Sequence, residues 1–540
     1  MKKAWILFLF MCIAAWGEDL FPPAFRQALT ESYVYFGPDR VFDFTKTVGT
    51  GKECFGPVGD FIDRPSEEFD HMNDVLGRII SGETSFLYGV PKKKIKKGKG
   101  SALLELTGLL REMDGFFQSA FALHIKEEVK KPADLMLIST DKAAGLFKAA
   151  GLSEKTPLFQ RIIALAGDID WKGLADRDEE GLIYCGADRK SGDYLIYVDR
   201  SGADVECVPV LGRARLYVKT EDCNAVKGSP ASAFFGLSIF LNLATSSTEY
   251  SGESAMNAFL GFSYFRDAGG NDIYRYSEFC EAAAAFGISY LVDEGGNDEY
   301  SAGRYAQAFT QTLGIAVLND HSGNDIYFSG NKDLHEPLYN DRYQSLSQGY
   351  SIGDREQGYA GGISVLRDGG GNDRYIADVY AQGCGYWYSL GVLIDEKGND
   401  VYSAHIYGQG SGVHLAAGIL FDGGGNDAFS LLDGVGLGGG HDLSLGILIN
   451  ANIGNDAYQG SGITMGSGHA NGCGIFFDEG GNDSYAGAKD MIIGGTGFAD
   501  RDAPSFGLFY DGGGDDAYTR KEAGNSKVWL TPHVGVGIDK

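Results

Sequence analysis

From about residue 262 onward, short runs recur in which small residues alternate with apolar ones and the last two positions are both apolar. Gly314-Ile315-Ala316-Val317-Leu318, Gly362-Ile363-Ser364-Val365-Leu366 and Gly472-Cys473-Gly474-Ile475-Phe476 are three examples. A period of two predicts a strand with two unlike faces. Each run leads into an acidic turn and then an aromatic residue, as in Asp368-Gly369-Gly370-Gly371-Asn372-Asp373-Arg374-Tyr375. A Gly-rich stretch then returns the chain to the next run. The turn is found nine times, centred on Asp272, Asp298, Asp325, Asp373, Asp400, Asp427, Asp456, Asp483 and Asp516. Successive gaps are 26, 27, 48, 27, 27, 29, 27 and 33 residues. A period near 27 that returns after each interruption marks a solenoid. Twenty-seven extended residues give a perimeter of at most about 90 Å at roughly 3.3 Å each. That suits three short sides joined by turns. The predicted fold class is mainly β: a parallel β-solenoid (β-helix) with coils of about 27 residues.

The pattern upstream is different. Leu103, Leu106, Leu110, Met113 and Phe117 follow a three-four spacing with charged residues between them, which predicts an amphipathic helix. Thr140 or Asp141 is placed to cap a second helix running to Leu152, and Pro157–Ala166 begins a third. Residues 18–180 therefore read as a mostly α-helical N-terminal domain. Residues 181–250 read as a transition that contains a degenerate capping coil. There Asp199 and Asp204 keep the five-residue spacing of the repeat's acids, and Gly236–Asn242 resembles a repeat strand without its turn. The solenoid proper is assigned to 251–520 and a C-terminal cap to 521–540.

The first residues change the setting. Lys2 and Lys3 precede an apolar run from Ala4 to Trp16, and Ala15-Trp16-Gly17 offers small residues at the positions a signal peptidase reads. This predicts a signal peptide over 1–17, cleavage before Glu18, and an exported protein that is periplasmic, on the cell surface or extracellular. No transmembrane span is expected after cleavage, because Phe234–Ala244 is too short and contains Asn242. With 46 Lys+Arg against 73 Asp+Glu, the net charge of −27 excludes nucleic acid as a partner. A polysaccharide or a component of the cell envelope is the partner class that remains. Lys92–Lys99 is a solvated basic loop in this reading. The cysteines are sparse. Cys207 and Cys223 are the one pair placed to close a small loop, with buried thiols as the alternative.

The repeat's chemistry lies in its columns. All nine copies place an aromatic two residues after the second acid: Tyr274, Tyr300, Tyr327, Tyr375, Tyr402, Phe429, Tyr458, Tyr485 and Tyr518. Eight copies carry a leading Asp five residues before it; the Asp456 copy has Asn450 six residues before, which suggests a one-residue bulge. Stacked coils bring like residues to about 4.8 Å. At that distance each carboxylate pair repels by roughly 1 kcal/mol in water-like dielectric and about 3 to 4 kcal/mol at an effective constant near 20. A cation would offset this. Carboxylates, Asn oxygens and turn carbonyls form an all-oxygen shell suited to Ca²⁺. The candidate metal residues are Asp267, Asp272, Asp293, Asp298, Asp320, Asp325, Asp368, Asp373, Asp395, Asp400, Asp422, Asp427, Asp456, Asp478, Asp483, Asp511 and Asp516. The alternative is a metal-free ladder in which Asp and Asn bond only to backbone.

Gly371-Asn372-Asp373-Arg374-Tyr375 and Gly425-Asn426-Asp427-Ala428-Phe429 resemble the second half of the haemolysin-type, repeats-in-toxin calcium motif, and the resemblance extends over about residues 262–520. It implies that Asp373, Asp427 and their equivalents hold Ca²⁺ between coils and that the aromatic column is core.

Other candidates are fewer. Tyr305-Ala306-Gln307, Tyr380-Ala381-Gln382 and Tyr407-Gly408-Gln409 predict an amide ladder that satisfies backbone groups. His441 and His469 should be neighbours, with Trp387 and His414 one position later in their coils. The 48-residue gap, which spans an insertion at 326–367, holds His335, Glu336, Tyr339, Asp341, Arg342 and Tyr343 as a loop or a degenerate coil. No nucleophile, phosphate-loop or zincin motif is present, so no catalytic residue is assigned. The expected function is an exported binding or structural solenoid stabilised by calcium. The alternative is a polysaccharide lyase or glycoside hydrolase built on a parallel β-helix.

Overall fold

The computed structural model describes residues 101–188, 193–336, 338–487, 494–497, 505–531 and 534–540. The expected signal peptide over 1–17, the rest of the helical reading before residue 101, Cys54 and the Lys92–Lys99 run lie outside the described residues.

The chain after residue 183 winds into a three-sided parallel stack. The first side is a sixteen-stranded sheet, the second twelve-stranded and the third ten-stranded. In one coil these are Ile288–Asp293, Glu299–Arg304 and Phe309–Thr310. The 27-residue period appears directly in the pairing: Leu390 lies beside Ala417, Tyr402 beside Phe429 and Gly385 beside Gly412. The stack begins well before the first full repeat. Ile183–Gly186, Ile196–Asp199, Ala214–Lys219 and Leu237–Asn242 already run parallel in the first sheet. Only its outermost strands reverse: Arg177–Glu179 pairs antiparallel with Ile183–Gly186, and Val528–Thr531 with Val534–Asp539.

Alternation gives the first-side strands two buried faces. Leu291, Leu318, Leu366, Leu393, Leu420 and Leu448 point into the solenoid, where they meet the aromatic column. Those rings stack from Tyr250 to Tyr518 with centroids 4.6 to 5.2 Å apart. That spacing is the strand spacing itself. Ile288, Tyr290, Val317, Val365 and Val392 join a second core on the other face.

Four helices cover the early part of that second core: α1 (Ala102–His124), α2 (Pro132–Leu135), α3 (Thr140–Ala150) and α4 (Thr156–Asp168). Phe117 of α1 meets Phe235 and Phe262, Phe159 of α4 stacks on Phe262, and Phe147 of α3 faces Phe286. The α3 cap is Ser139, whose hydroxyl accepts from the Lys142 N–H, rather than Thr140 or Asp141. Ser139 lies one residue ahead with extended backbone, the geometry an N-cap requires. Among the described residues no helix is long and apolar enough to cross a membrane.

The Gly-rich return packs its backbone against the first side. Gly383, Gly410, Gly438 and Gly466 have φ between +71° and +74°, and a methyl group on any of them would sit within 2.1 Å of a carbonyl oxygen of a first-side strand. The 48-residue gap adds no coil, because Ile315–Asp320 pairs directly with Ile363–Asp368. Its extra residues leave the coil twice. One excursion runs from Gly330 to Tyr343 and the other from Gly353 to Gly361, with Gln344–Ser347 and Tyr350–Ile352 back in the wall between them.

Candidate metal centre: the aspartate columns

Each first-side strand delivers its leading acid to the same corner. That acid's Oδ1 accepts the N–H two residues further on, at 2.7 to 3.1 Å, and so closes the turn. Its Oδ2 accepts the tyrosyl hydroxyl of the preceding coil. Tyr274 donates to Asp293, Tyr300 to Asp320, Tyr327 to Asp368, Tyr375 to Asp395, Tyr402 to Asp422, Tyr458 to Asp478 and Tyr485 to Asp511, at 2.6 to 2.8 Å. Tyr250 does the same for Asp267. Tyr518 donates to Asp539 at 2.6 Å, which adds a column member outside the nine copies of the repeat.

The second acids form their own column. Each Oδ1 accepts the backbone N–H of the equivalent Asp one coil earlier, at 2.5 to 2.7 Å, from the pair Asp272–Asp298 to the pair Asp483–Asp516. The outer oxygens are different. The Oδ2 atoms of Asp272, Asp298, Asp325, Asp373, Asp400, Asp427, Asp483 and Asp516 are buried without a hydrogen-bond donor. At Asp272, Asp298, Asp325 and Asp373 they face the leading carboxylates of their own and the next coil, and Asp400 and Asp427 share the leading carboxylate of Asp422. In Asp267/Asp272/Asp293, Asp293/Asp298/Asp320, Asp320/Asp325/Asp368, Asp368/Asp373/Asp395 and Asp400/Asp422/Asp427, one oxygen from each residue lies within 4.8 Å of the others. These clusters of buried carboxylates could hold metal ions.

Burial pushes the acids of both columns above the usual carboxylate range. Desolvation is the largest cause at Asp456 and Asp511, each raised to about 7. Removing so many carboxylates from water needs compensation by cations, protons or fixed donors.

The places where the chain departs from the pattern show what each position requires. Phe429 is the one ring of the nine repeats without a hydroxyl, and the acid it would serve is Asn450. Val226 occupies the tyrosine position one coil before Tyr250, and the residue it would serve is Asn242. Both amides compensate. Asn450 Nδ2 donates to Asp456 Oδ2 at 2.9 Å and to the Tyr458 hydroxyl at 2.7 Å. Asn242 Nδ2 donates to Asp267 Oδ2 at 3.0 Å and to the Tyr250 hydroxyl at 2.7 Å. One coil earlier the same register position is Lys219, fully buried, with its ammonium 3.8 Å from Asp199 Oδ2. An ammonium is thus accommodated inside the column. Asn450 stays in register between Asp422 and Asp478, so the expected one-residue bulge before Asp456 falls within the 451–455 turn rather than in the strand.

The turn asparagines, expected to lend oxygens to an ion, do not face the carboxylates. They form an exposed ladder in which Asn324, Asn372, Asn399 and Asn426 each donate N–H and Nδ2 to the Oδ1 of the preceding Asn. Backbone spacing satisfies each amide with its own neighbour.

The glutamines likewise serve the backbone. Gln307, Gln348, Gln382 and Gln409 donate to carbonyls of second-side strands, and in later coils Leu437 and Met465 take their place. Glu281 sits in the same column, fully buried, and burial raises its carboxyl to about 8. His441 and His469 are cross-strand neighbours with Nδ1 atoms 2.8 Å apart, and His414 Nδ1 lies 2.6 Å from Asp442 Oδ2. Cys207 and Cys223 form no disulfide. Comparison with family models, curated proteins and solved structures finds no match for this chain.

Proposed function

We propose that the protein is an exported solenoid scaffold with a structural or binding role, and that Ca²⁺ fills its carboxylate clusters. The observation that carries this reading is the row of buried second-acid oxygens without donors, clustered with further carboxylates in at least five successive sets. Two carboxylates per coil are balanced in charge by one divalent cation. A donor set made only of oxygens selects a hard ion. The buried Lys219 supports the same reading, since the chain places its own cation at a column position. The tyrosyl hydroxyls and turn amides would orient the carboxylates, as outer donors do around metal sites. The haemolysin-type resemblance of the turns points the same way. Export rests on the basic-apolar-small pattern of residues 1–17, and a polysaccharide or envelope component is the partner class compatible with the acidic charge.

Metal analysis together with thermal melting tests the ion. Protein prepared in Ca²⁺ should retain several equivalents after desalting. EDTA should lower its melting midpoint by roughly 10 °C or more, since an ion held at 100 times its dissociation constant contributes about 2.7 kcal/mol per site. An unchanged midpoint and no retained Ca²⁺ would remove the ion and leave shared protons to neutralise the columns. N-terminal sequencing of protein recovered outside the cytoplasm should begin at Glu18.

A further inference from the structure

One register position of the third side is held by Ile352, Tyr386 and Val413 in three successive coils, and by His441 and His469 in the next two. The strands Gly440–His441 and Gly468–His469 thus set two imidazoles side by side where the column otherwise carries an apolar side chain. Both rings are half-buried, so the face they line is open to solvent. Their centroids are 4.8 Å apart with 22° between the ring planes, and their Nδ1 atoms are 2.8 Å apart. The nitrogens are much closer than the ring centres, so they point toward each other across the gap between coils. The backbone beneath them is fixed. The His441 carbonyl accepts the His414 N–H at 3.0 Å and the Ser444 hydroxyl at 2.7 Å. The His469 carbonyl accepts the N–H groups of Asp442 at 3.1 Å and Gly472 at 2.9 Å. His414, in the preceding coil, lies edge-on to His441 at 5.4 Å, with its Nδ1 2.6 Å from Asp442 Oδ2. Trp387 stacks on His414 at 4.8 Å.

Two neutral imidazoles meeting through Nδ1 need one proton between them: one nitrogen carries it and the other offers its lone pair. If that proton moves to Nε2 of its own ring, both Nδ1 atoms become ligand atoms aimed at one place. Two nitrogens on a tetrahedral Zn²⁺ stand about 3.4 Å apart, from bonds of about 2.0–2.1 Å. Reaching that distance from 2.8 Å takes about 0.6 Å of movement, shared by two half-exposed side chains. The donor type decides the ion. Imidazole suits Zn²⁺ and Cu²⁺, whereas Ca²⁺ and Mg²⁺ take oxygen. The aspartate columns have the opposite preference, so the two places would not compete for one metal. The net charge of −27 favours the approach of any cation. Asp442 sets the His414 ring through Nδ1, and that ring in turn bounds His441, as outer carboxylates and rings do around metal-binding histidines.

We propose that His441 and His469 form a cross-strand site for a borderline divalent cation, Zn²⁺ or Cu²⁺, with the two Nδ1 atoms as its protein ligands. Two nitrogens leave positions open on a four-coordinate ion, and water or an incoming donor completes the shell. His414 and Asp442 are positioning residues. The ion staples neighbouring coils where the strands are only two residues long. The site differs from the aspartate columns in place and in ligand chemistry, and it does not depend on Ca²⁺.

Calorimetric titration of the full chain with Zn²⁺, in excess Ca²⁺ at neutral pH, tests it. One Zn²⁺ site should appear that Ca²⁺ does not displace, and Cu²⁺ should bind there more tightly, following the general affinity order of divalent metals. H441A/H469A should abolish the site, while its melting midpoint without Zn²⁺ stays close to that of the wild type because both rings are half-exposed. Asp442→Asn, which leaves both ligands in place, should weaken Zn²⁺ binding by roughly tenfold. In the wild type, ¹⁵N-histidine spectra should show the His441 and His469 rings both as Nε2–H tautomers once Zn²⁺ is added, a readout that needs no variant to fold. Zn²⁺ and Cu²⁺ binding no stronger than in H441A/H469A, displacement of Zn²⁺ by Ca²⁺, or ring tautomers unchanged by Zn²⁺ would overturn the proposal and leave the pair as a hydrogen bond alone. The Zn²⁺ titration reads the third side and the chelator experiment reads the columns, so either can fail without the other.

Discussion

At the scale of single residues, the columns are governed by exact pairing of hydrogen-bond capacity. Tyrosine serves aspartate, and phenylalanine or valine comes with asparagine. Asn450→Asp alone would place a carboxylate where the preceding coil offers no hydroxyl and where the Tyr458 proton is already given to Asp478, and would remove the donor to Asp456 Oδ2. In EDTA this variant should lose about 1–3 kcal/mol, measured by denaturant unfolding. Adding Phe429→Tyr should recover part of that loss, and by native mass spectrometry the double variant should hold one more Ca²⁺ than the wild type. Glu281 gives a pH prediction. Its carboxyl is raised to about 8 by burial in a column of glutamines, against an ordinary glutamate value of 4.5. A raised folded pKa contributes stability below the unfolded value that is lost as pH rises through the folded one. Glu281→Gln should therefore melt above the wild type at pH 7, by a wider margin at pH 9, with the gap closing near pH 4.5. Parallel melting curves of the two proteins across that range would refute the assignment.

At the scale of elements, the first side and its turn were legible because their signals are dense: a two-residue alternation, an acid, turn glycines and a ring. The third side was not. Its strands are two or three residues long, as in Gly412–Val413 and Gly440–His441, and leave almost no pattern to read. The tyrosine–aspartate bond was also hidden, since each joins residues about 20 apart on different sides of neighbouring coils. Only the coincidence of Phe429 with Asn450 signalled it in the sequence. The Gly-rich return supplies this scale's prediction. Gly410 combines φ of +74° with a position where a methyl group would lie 2.1 Å from the Ile447 carbonyl oxygen. Gly410→Ala should destabilise by more than about 1 kcal/mol, whereas alanine at Gly424, which has open space around it, should change denaturant midpoints little.

At the scale of the whole molecule, the stack resembles a one-dimensional crystal: every coil finishes the hydrogen bonds of the one before and exposes its own to the next. The antiparallel strands Arg177–Glu179 and Val528–Thr531 close the two ends of the first side among the described residues. A strand laid in reverse direction spoils the template, so a second molecule arriving with its coils in the same orientation finds no matching row of donors and acceptors. Reversal at the ends thus sets the length of what would otherwise be a seed for growth. A chain ending at Asp516, without the final strand pair, should join end to end into rods whose length rises with concentration. Sedimentation and negative-stain microscopy would measure this, and monomers of the truncated chain at all concentrations would show that the reversed strands do not act as terminators.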